Sequence, residues 1–316
     1  MRTLLLGGAG FIGHHVTRLL SQAGRDVYVA DLKPSHEASL PEGVSYCNIA
    51  GVADYGLALP ELHTDFDEII DLAYASIPQT SFDDPVKDIS VNLPRFVRVL
   101  LFAAKYCKGK FVFLSSGGTV YGQARFLPIT EEHPLEPLSP YGITKLATEK
   151  YAAMYGLQLG LPIICLRPGN VYGEGQLPFR GQGFVATAIG SALTERTVTV
   201  FGATGSVRDY IHVEDTARAI LAALDKGLPG ATYNVGTGRG LNNIDLLDLL
   251  EAILPAPYCL PPVEYMPERV FDVRENILDC TRLTSDTGWK PEIVFEEGLR
   301  RSFVWQRQRL LPKRTR

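Results

Sequence analysis

Thr3-Leu4-Leu5-Leu6-Gly7-Gly8-Ala9-Gly10-Phe11-Ile12-Gly13 is an apolar run that enters glycines spaced GxxGxxG and continues with helical periodicity. A buried strand, a tight turn and a helix in that order open a βαβ unit. Gly7 permits the turn, Gly10 lets the backbone approach a pyrophosphate, and Gly13 lets helix and strand pack closely. Phe11 and Ile12 stand at the helix N-terminus, where unpaired N–H groups favour an anion. A second strand ends at Asp31, 18 residues beyond Gly13. A carboxylate there accepts hydrogen bonds from a ribose diol and repels a 2′-phosphate, which favours NAD over NADP.

Outward from this stretch the rhythm repeats. Apolar runs at Thr3-Leu6, Val27-Ala30, Val44-Ile49, Glu68-Ala73, Phe111-Leu114 and Ile163-Leu166 predict buried parallel strands. Between them Phe11-Ala23, Val86-Tyr106 and Tyr141-Leu159 predict helices. The implied fold is α/β, a doubly wound parallel sheet over residues 1–170, completed by about 213–236. Past Arg167-Pro168-Gly169 the pieces shorten: helix Phe184-Leu193, strand Thr197-Phe201, helix Val213-Leu224, strand Thr232-Val235 and helix Asn243-Ile253. Residues 171–316 are read as a smaller, interleaved substrate-binding domain.

Composition excludes other classes. The 316 residues carry 31 Lys plus Arg against 35 acidic residues, a formal charge of −4, which provides no general attraction to nucleic acid or anionic membrane. The basic run Lys313-Arg314-Thr315-Arg316 reads as a solvated tail. Cys47, Cys107, Cys165, Cys259 and Cys280 form no CxxC pair and no metal-ligand spacing, so they read as buried free thiols. With no leader-like stretch before Thr3 and no apolar run of membrane-spanning length, the expected compartment is a reducing cytoplasm.

The chemistry gathers at the fifth strand, Phe113-Leu114-Ser115-Ser116-Gly117-Gly118-Thr119-Val120-Tyr121-Gly122, whose hydroxyls sit where open α/β sheets bind ligands. Tyr141 and Lys145, in Tyr141-Gly142-Ile143-Thr144-Lys145, lie at i and i+4 and share a helix face. The ammonium and a cationic nicotinamide would both stabilise a phenolate, allowing Tyr141 to act as a base nearer neutrality. Arg208 and Arg269 are candidates to clamp a diphosphate.

These motifs, with Leu166-Arg167-Pro168-Gly169-Asn170-Val171-Tyr172-Gly173, Arg208-Asp209-Tyr210-Ile211-His212-Val213-Glu214-Asp215 and Tyr233-Asn234-Val235-Gly236, run through nearly the whole chain. The chain resembles the extended short-chain dehydrogenases/reductases, most closely the UDP-hexose 4-epimerases of the UDP-galactose 4-epimerase type. The resemblance implies C4 epimerisation of a UDP-hexose through a 4-keto sugar with NAD kept bound. It also implies a homodimer built on the two long helices. It assigns Tyr141 and Lys145 to catalysis, Asn170, Arg208 and Arg269 to substrate, and Asn92 to support of the cofactor site. Further cofactor contacts are implied at Asn48, Ile49, Leu72 and Ala73.

Two positions depart from the family pattern. Gly117 occupies the place of the catalytic Ser or Thr, so the hydroxyl must come from Ser116 or Thr119. Asn48 stands where an Asp often contacts adenine. Asn276 falls at the position that closes the sugar pocket beside C2, and its small size implies acceptance of UDP-N-acetylglucosamine and UDP-N-acetylgalactosamine alongside or ahead of the UDP-glucose pair. His212 and Asp215, although adjacent acid and base types, read as structural. The rivals are a 4,6-dehydratase, expected to show Thr-Asp-Glu where this chain has Gly117-Gly118-Thr119, a decarboxylase, and a non-catalytic NAD sensor.

Overall fold

Alternation along the first strand, β1 (Arg2–Leu6), sends Leu5 into one apolar cluster and Leu4 and Leu6 into another, so the strand is buried on both faces. The computed structural model describes residues 1–32, 40–49, 64–269 and 272–311. After β1 come α1 (Phe11–Gln22), β2 (Asp26–Asp31), β3 (Ser45–Asn48), β4 (Glu68–Asp71), α2 (Pro78–Asp83), α3 (Pro85–Tyr106), β5 (Phe111–Leu114), α4 (Pro140–Leu159) and β6 (Ile163–Pro168). There follow β7 (Asn170–Tyr172), α5 (Phe184–Thr194), β8 (Val198–Phe201), β9 (Val207–His212), α6 (Val213–Lys226) and β10 (Thr232–Val235). The last described elements are β11 (Gly240–Leu241), α7 (Asn243–Ile253), β12 (Val263–Met266), β13 (Glu275–Asn276), α8 (Thr281–Thr287) and α9 (Phe295–Leu310).

Seven strands form one sheet in the order β10-β6-β5-β4-β1-β2-β3, and every pairing in it is parallel. This is the doubly wound α/β sheet expected from the sequence. The chain travels outward from β1 through β2 and β3, then returns to the other side at β4. That reversal opens a crevice at the carboxyl ends of β1 and β4, the place where such sheets bind ligands. A second, smaller body is built on β9, flanked by β11, β13 and β7, with β8 paired to β12. Its apolar centre includes Val185, Ile189, Val200, Tyr210, Leu246, Leu250, Leu299 and Phe303.

Differences from the sequence reading have local causes. β4 ends at Asp71 rather than Ala73 because the Asp71 carboxylate accepts the Ala73 N–H at 3.1 Å and turns the chain. The same carboxylate forms a bidentate pair with Arg95 of α3, both distances 2.9 Å. β6 runs on through Pro168, in register with Val235 of β10. The helix α9 was not anticipated, since Arg and Gln interrupt its apolar stripe, yet Leu299, Ser302, Phe303 and Gln306 are buried. Cys165 alone is fully buried, Cys259 is exposed and the other three thiols are half-buried, which corrects the reading of five buried thiols. The basic tail at 313–316 lies outside the described residues.

Arg95→Leu removes one partner of the buried Asp71 pair and leaves its carboxylate without a countercharge. The expected cost is about 3–5 kcal/mol, read as a lowered urea midpoint; an unchanged midpoint would contradict this account of the β4–α3 contact.

Candidate active site

The glycine turn is held open by close backbone packing. Gly7 has φ +81°, and a Cβ at Gly13 would lie 2.0 Å from the Gly7 carbonyl oxygen. Only hydrogen fits there. Gly10 caps α1 without a side-chain acceptor, so the first-turn N–H groups are left for a ligand, and Gly7, Gly10, Phe11, Ile12 and Gly13 all line one cavity. This cradle suits the pyrophosphate of a dinucleotide such as NAD. Asp31, at the end of β2, accepts the Ala9 N–H at 2.9 Å and the Leu32 N–H at 2.7 Å, bracing the turn.

The other expected cofactor residues divide. Leu72 lines the cavity, and Ala73 is packed against Gly7. Asn92 is fully buried and pins the segment after β4: its Oδ1 accepts the Ala75 N–H at 2.8 Å and its Nδ2 donates to Ser76 Oγ at 3.0 Å. Asn48 is exposed in register with Asp31, whereas Ile49 belongs to the core cluster that includes Leu6 and Ala30 rather than to the cavity wall.

The cavity has a volume of about 560 Å³, within the range of small-molecule sites. Ser116, Thr119, Tyr141, Lys145 and Asn170 line its chemical end, with Arg208 and Arg269 farther along. Ser139 caps α4 by accepting the Gly142 N–H at 3.1 Å, and Ser81 of α2 accepts the Tyr141 N–H at 3.1 Å. The Lys145 ammonium is buried, donates to the Leu114 carbonyl at 2.9 Å and lies 3.9 Å above the centre of the Tyr74 ring. Burial lowers its pKa to about 8, with Asp71 opposing the shift. The Tyr141 ring centre is 5.7 Å from the same ammonium. Burial raises the Tyr141 phenol above its ordinary range and the Asp88 charge adds to the rise.

Gly117 explains its own departure from the family pattern. A Cβ there would lie 2.7 Å from both the Arg167 carbonyl oxygen and Leu278 Cδ1. A hydroxyl cannot be mounted at this position while the strand end keeps its course. Ser116 and Thr119 both face the cavity, and Thr119 Oγ1 is buried without a protein partner.

Asn276 requires a correction. It does not line the cavity; it is fully buried in β13, in register with Arg208, and its Nδ2 donates to the Gly117 carbonyl at 2.9 Å. Its Nδ2 is thus spent on the segment after β5, while its Oδ1 is buried with no partner among the described residues. Arg208 is half-buried, donates to the Val207 carbonyl at 2.9 Å, and has its pKa lowered by desolvation. The Arg269 guanidinium sits 3.4 Å above the Phe201 ring centre. Among the described residues neither arginine has an ion-pair partner within salt-bridge distance. Sequence reasoning stopped one residue short of Tyr74, whose place just past β4 was the available signal. It also missed Gln79, Gln176 and Gln182 of the cavity wall, which no motif marks. His212 and Asp215 are structural: His212 pairs with Glu174 at 2.9 Å, and Asp215 accepts the N–H groups of Glu292 and Ile293.

A model of the NAD dependent epimerase/dehydratase family matches residues 3–236. The chain is 33% identical over 315 residues to a UDP-glucose 4-epimerase of Mycolicibacterium smegmatis, covering 98% of this chain and 99% of that one. A UDP-glucose 4-epimerase of Thermotoga maritima, solved with UDP-glucose, is 34% identical with a TM-score of 0.87, covering 98% and 100% of the two chains. One of Thermus thermophilus, solved with NAD, is 34% identical with a TM-score of 0.87 and covers 97% and 99%.

Gly117→Ser would place a hydroxyl at the family position but force β5 away from β6. We expect about 1–3 kcal/mol of destabilisation, read by chemical denaturation, with Asn276 losing its bond to the Gly117 carbonyl. A variant as stable as the parent would show that the strand end has room.

Proposed function

Because the chain belongs to the NAD-dependent epimerase/dehydratase family, we propose that it inverts C4 of a UDP-hexose through a 4-keto sugar. The observation that carries this reading is one cavity that joins the glycine cradle, the Tyr141 and Lys145 pair, and two arginines with no ion-pair partner among the described residues. Bound NAD would supply the reversible oxidation at C4, held by the Gly7–Gly13 turn and Asp31. Tyr141 moves the proton of the sugar 4-hydroxyl. Lys145 supplies positive charge beside it and would hydrogen-bond the nicotinamide ribose of bound NAD. Ser116 or Thr119 orients the reacting oxygen. Arg208 and Arg269 hold the diphosphate through charge-assisted bonds, and Asn170 adds a substrate contact.

Two observations shape the choice within the family. Asp272 is the one carboxylate among the described cavity-lining residues, and it stands with the arginines: its N–H donates to the Arg269 carbonyl at 3.1 Å and its charge acts on Arg208. A dehydratase needs an acid near the sugar to expel water, so the epimerase is the better reading. Asn276 is not among the residues that line the cavity, so a preference for N-acetylated sugars would have to act through the wall behind it. UDP-glucose and UDP-galactose become the first pair to test, in keeping with the names of the relatives.

We also propose a homodimer through α3 and α4. Val86, Ile89 and Leu101 on α3 and Ile143, Met154 and Leu157 on α4 are exposed apolar residues on the two long helices. No described helix is long and apolar enough to cross a membrane, and the free thiols fit a reducing cytoplasm.

Incubation with UDP-glucose without added reductant should yield UDP-galactose, and Tyr141→Phe should lower turnover by about 10²–10⁴. Loss of water from a nucleotide sugar, or near-normal turnover in the Tyr141→Phe protein, would overturn the mechanism. Denaturation of the purified protein should release NAD rather than NADP. Met154→Asp with Leu157→Asp should give a monomer by light scattering; a dimer that survives both changes would place the interface elsewhere.

A further inference from the structure

Tyr74 belongs to no motif, yet it stands inside the chemical end of the cavity. It follows β4 by three residues, where the turn set by Asp71 and Asn92 directs the chain over the sheet end. Its ring meets Tyr141 edge to face, 5.1 Å between centroids at 71°. The Lys145 ammonium lies 3.9 Å from the centre of the Tyr74 ring and 5.7 Å from that of Tyr141, while it donates a hydrogen bond to the Leu114 carbonyl. The Tyr74 hydroxyl is buried near Thr144 and forms no well-aligned hydrogen bond. What Tyr74 offers Lys145 is therefore the face of its ring.

We propose that Tyr74 is a positioning residue for Lys145: its ring face holds the buried ammonium charged and aims it between the end of β5 and Tyr141. A cation over an aromatic face is attracted by the ring quadrupole, and the attraction grows when both are desolvated. Lys145 needs this support because it has been taken out of water with no carboxylate at salt-bridge distance among the described residues. The charged and titratable groups facing it are Asp71 of β4, Arg95 of α3, Cys165 of β6 and Glu149 of its own helix, besides Tyr74 and Tyr141. Asp71 is already engaged by Arg95 and Glu149 by Arg167. Edge-to-face contact with Tyr141 places the two phenols and the ammonium in one packed cluster, so a change of ring at position 74 is felt by the acid/base pair.

The proposal rests on the reading of Lys145 as Tyr141's partner in catalysis, and its test separates the two. With [13Cε]lysine incorporated, the Lys145 resonance can be titrated in the holoenzyme without any substrate. Lys145 should lose its proton near pH 8, so activity should fall above that value. Tyr74→Leu removes the ring face and should move both the resonance midpoint and the alkaline limb of kcat down by about one pH unit. Tyr74→Phe keeps the face and should leave both where they are. Pentafluorophenylalanine at position 74 keeps the shape and reverses the quadrupole, so it should behave like leucine even if the leucine protein packs poorly. An unmoved midpoint with leucine or with the fluorinated ring, or a phenylalanine protein shifted as far as the leucine one, would overturn the proposal. A parent enzyme that epimerises no UDP-hexose would instead overturn the functional reading, with the resonance titration still deciding the role of Tyr74.

Discussion

At Gly13 the first helix lies so near the turn after β1 that a methyl group would sit 2.0 Å from the Gly7 carbonyl. That approach brings the open N–H end of α1 over the sheet edge and sets the floor of the cavity. The same helix also ties down the opposite wall. His15 Nε2 lies 2.8 Å from the Glu174 carbonyl oxygen, and the Glu174 carboxylate pairs with His212 at 2.9 Å and Arg301 at 2.7 Å. Burial alone would raise the Glu174 pKa, but the bonds from His212 and Arg301 pull it down to about 2. The carboxylate thus stays charged and clasps β9 and α9, while the Glu174 carbonyl holds α1, to the segment that leads into Gln176 of the cavity wall.

A second set of buried polar groups fixes the chemical end. Arg167 of β6 donates to Glu149 of α4 at 3.0 and 2.6 Å and to the Tyr121 hydroxyl at 2.9 Å, and that hydroxyl donates to Asn234 of β10 at 2.6 Å. The network joins the helix that carries Tyr141 and Lys145 to three neighbouring segments. Buried charge pairs of this kind add little net stability, because desolvation offsets their attraction. What they contribute here is geometry, since each partner has one place in which its bonds are satisfied. Asn276 takes part in the same task by holding the Gly117 carbonyl, which accounts for an amide buried where the sequence suggested a pocket gate.

Much of the architecture was legible in the residue order. The apolar runs and glycine spacing foretold a doubly wound sheet because strands buried on both faces need continuous apolar residues, and a helix docked at van der Waals distance needs glycine. Tyr141 and Lys145 were legible for a similar local reason: four residues along a helix make one face. Motif resemblance also marked Asn170, Arg208 and Arg269, which the fold brings to the same cavity. Of the smaller body's short strands only β8 was legible; β7, β9, β11, β12 and β13 and the polar helix α9 were not, since their stability comes from partners distant in the chain.

Sequence by itself determined the sheet, the anion-binding turn and the helical pair, all set by spacings of a few residues. Tertiary structure alone decided which side chains face the cavity. Asn276 and Tyr74 exchanged expectations for this reason: pairing of β13 beside β9 turned the asparagine inward, and the turn after Asp71 carried an unremarked tyrosine beneath the Lys145 ammonium. The direction of a side chain depends on the register and twist of segments far apart in the chain, and no local spacing encodes it.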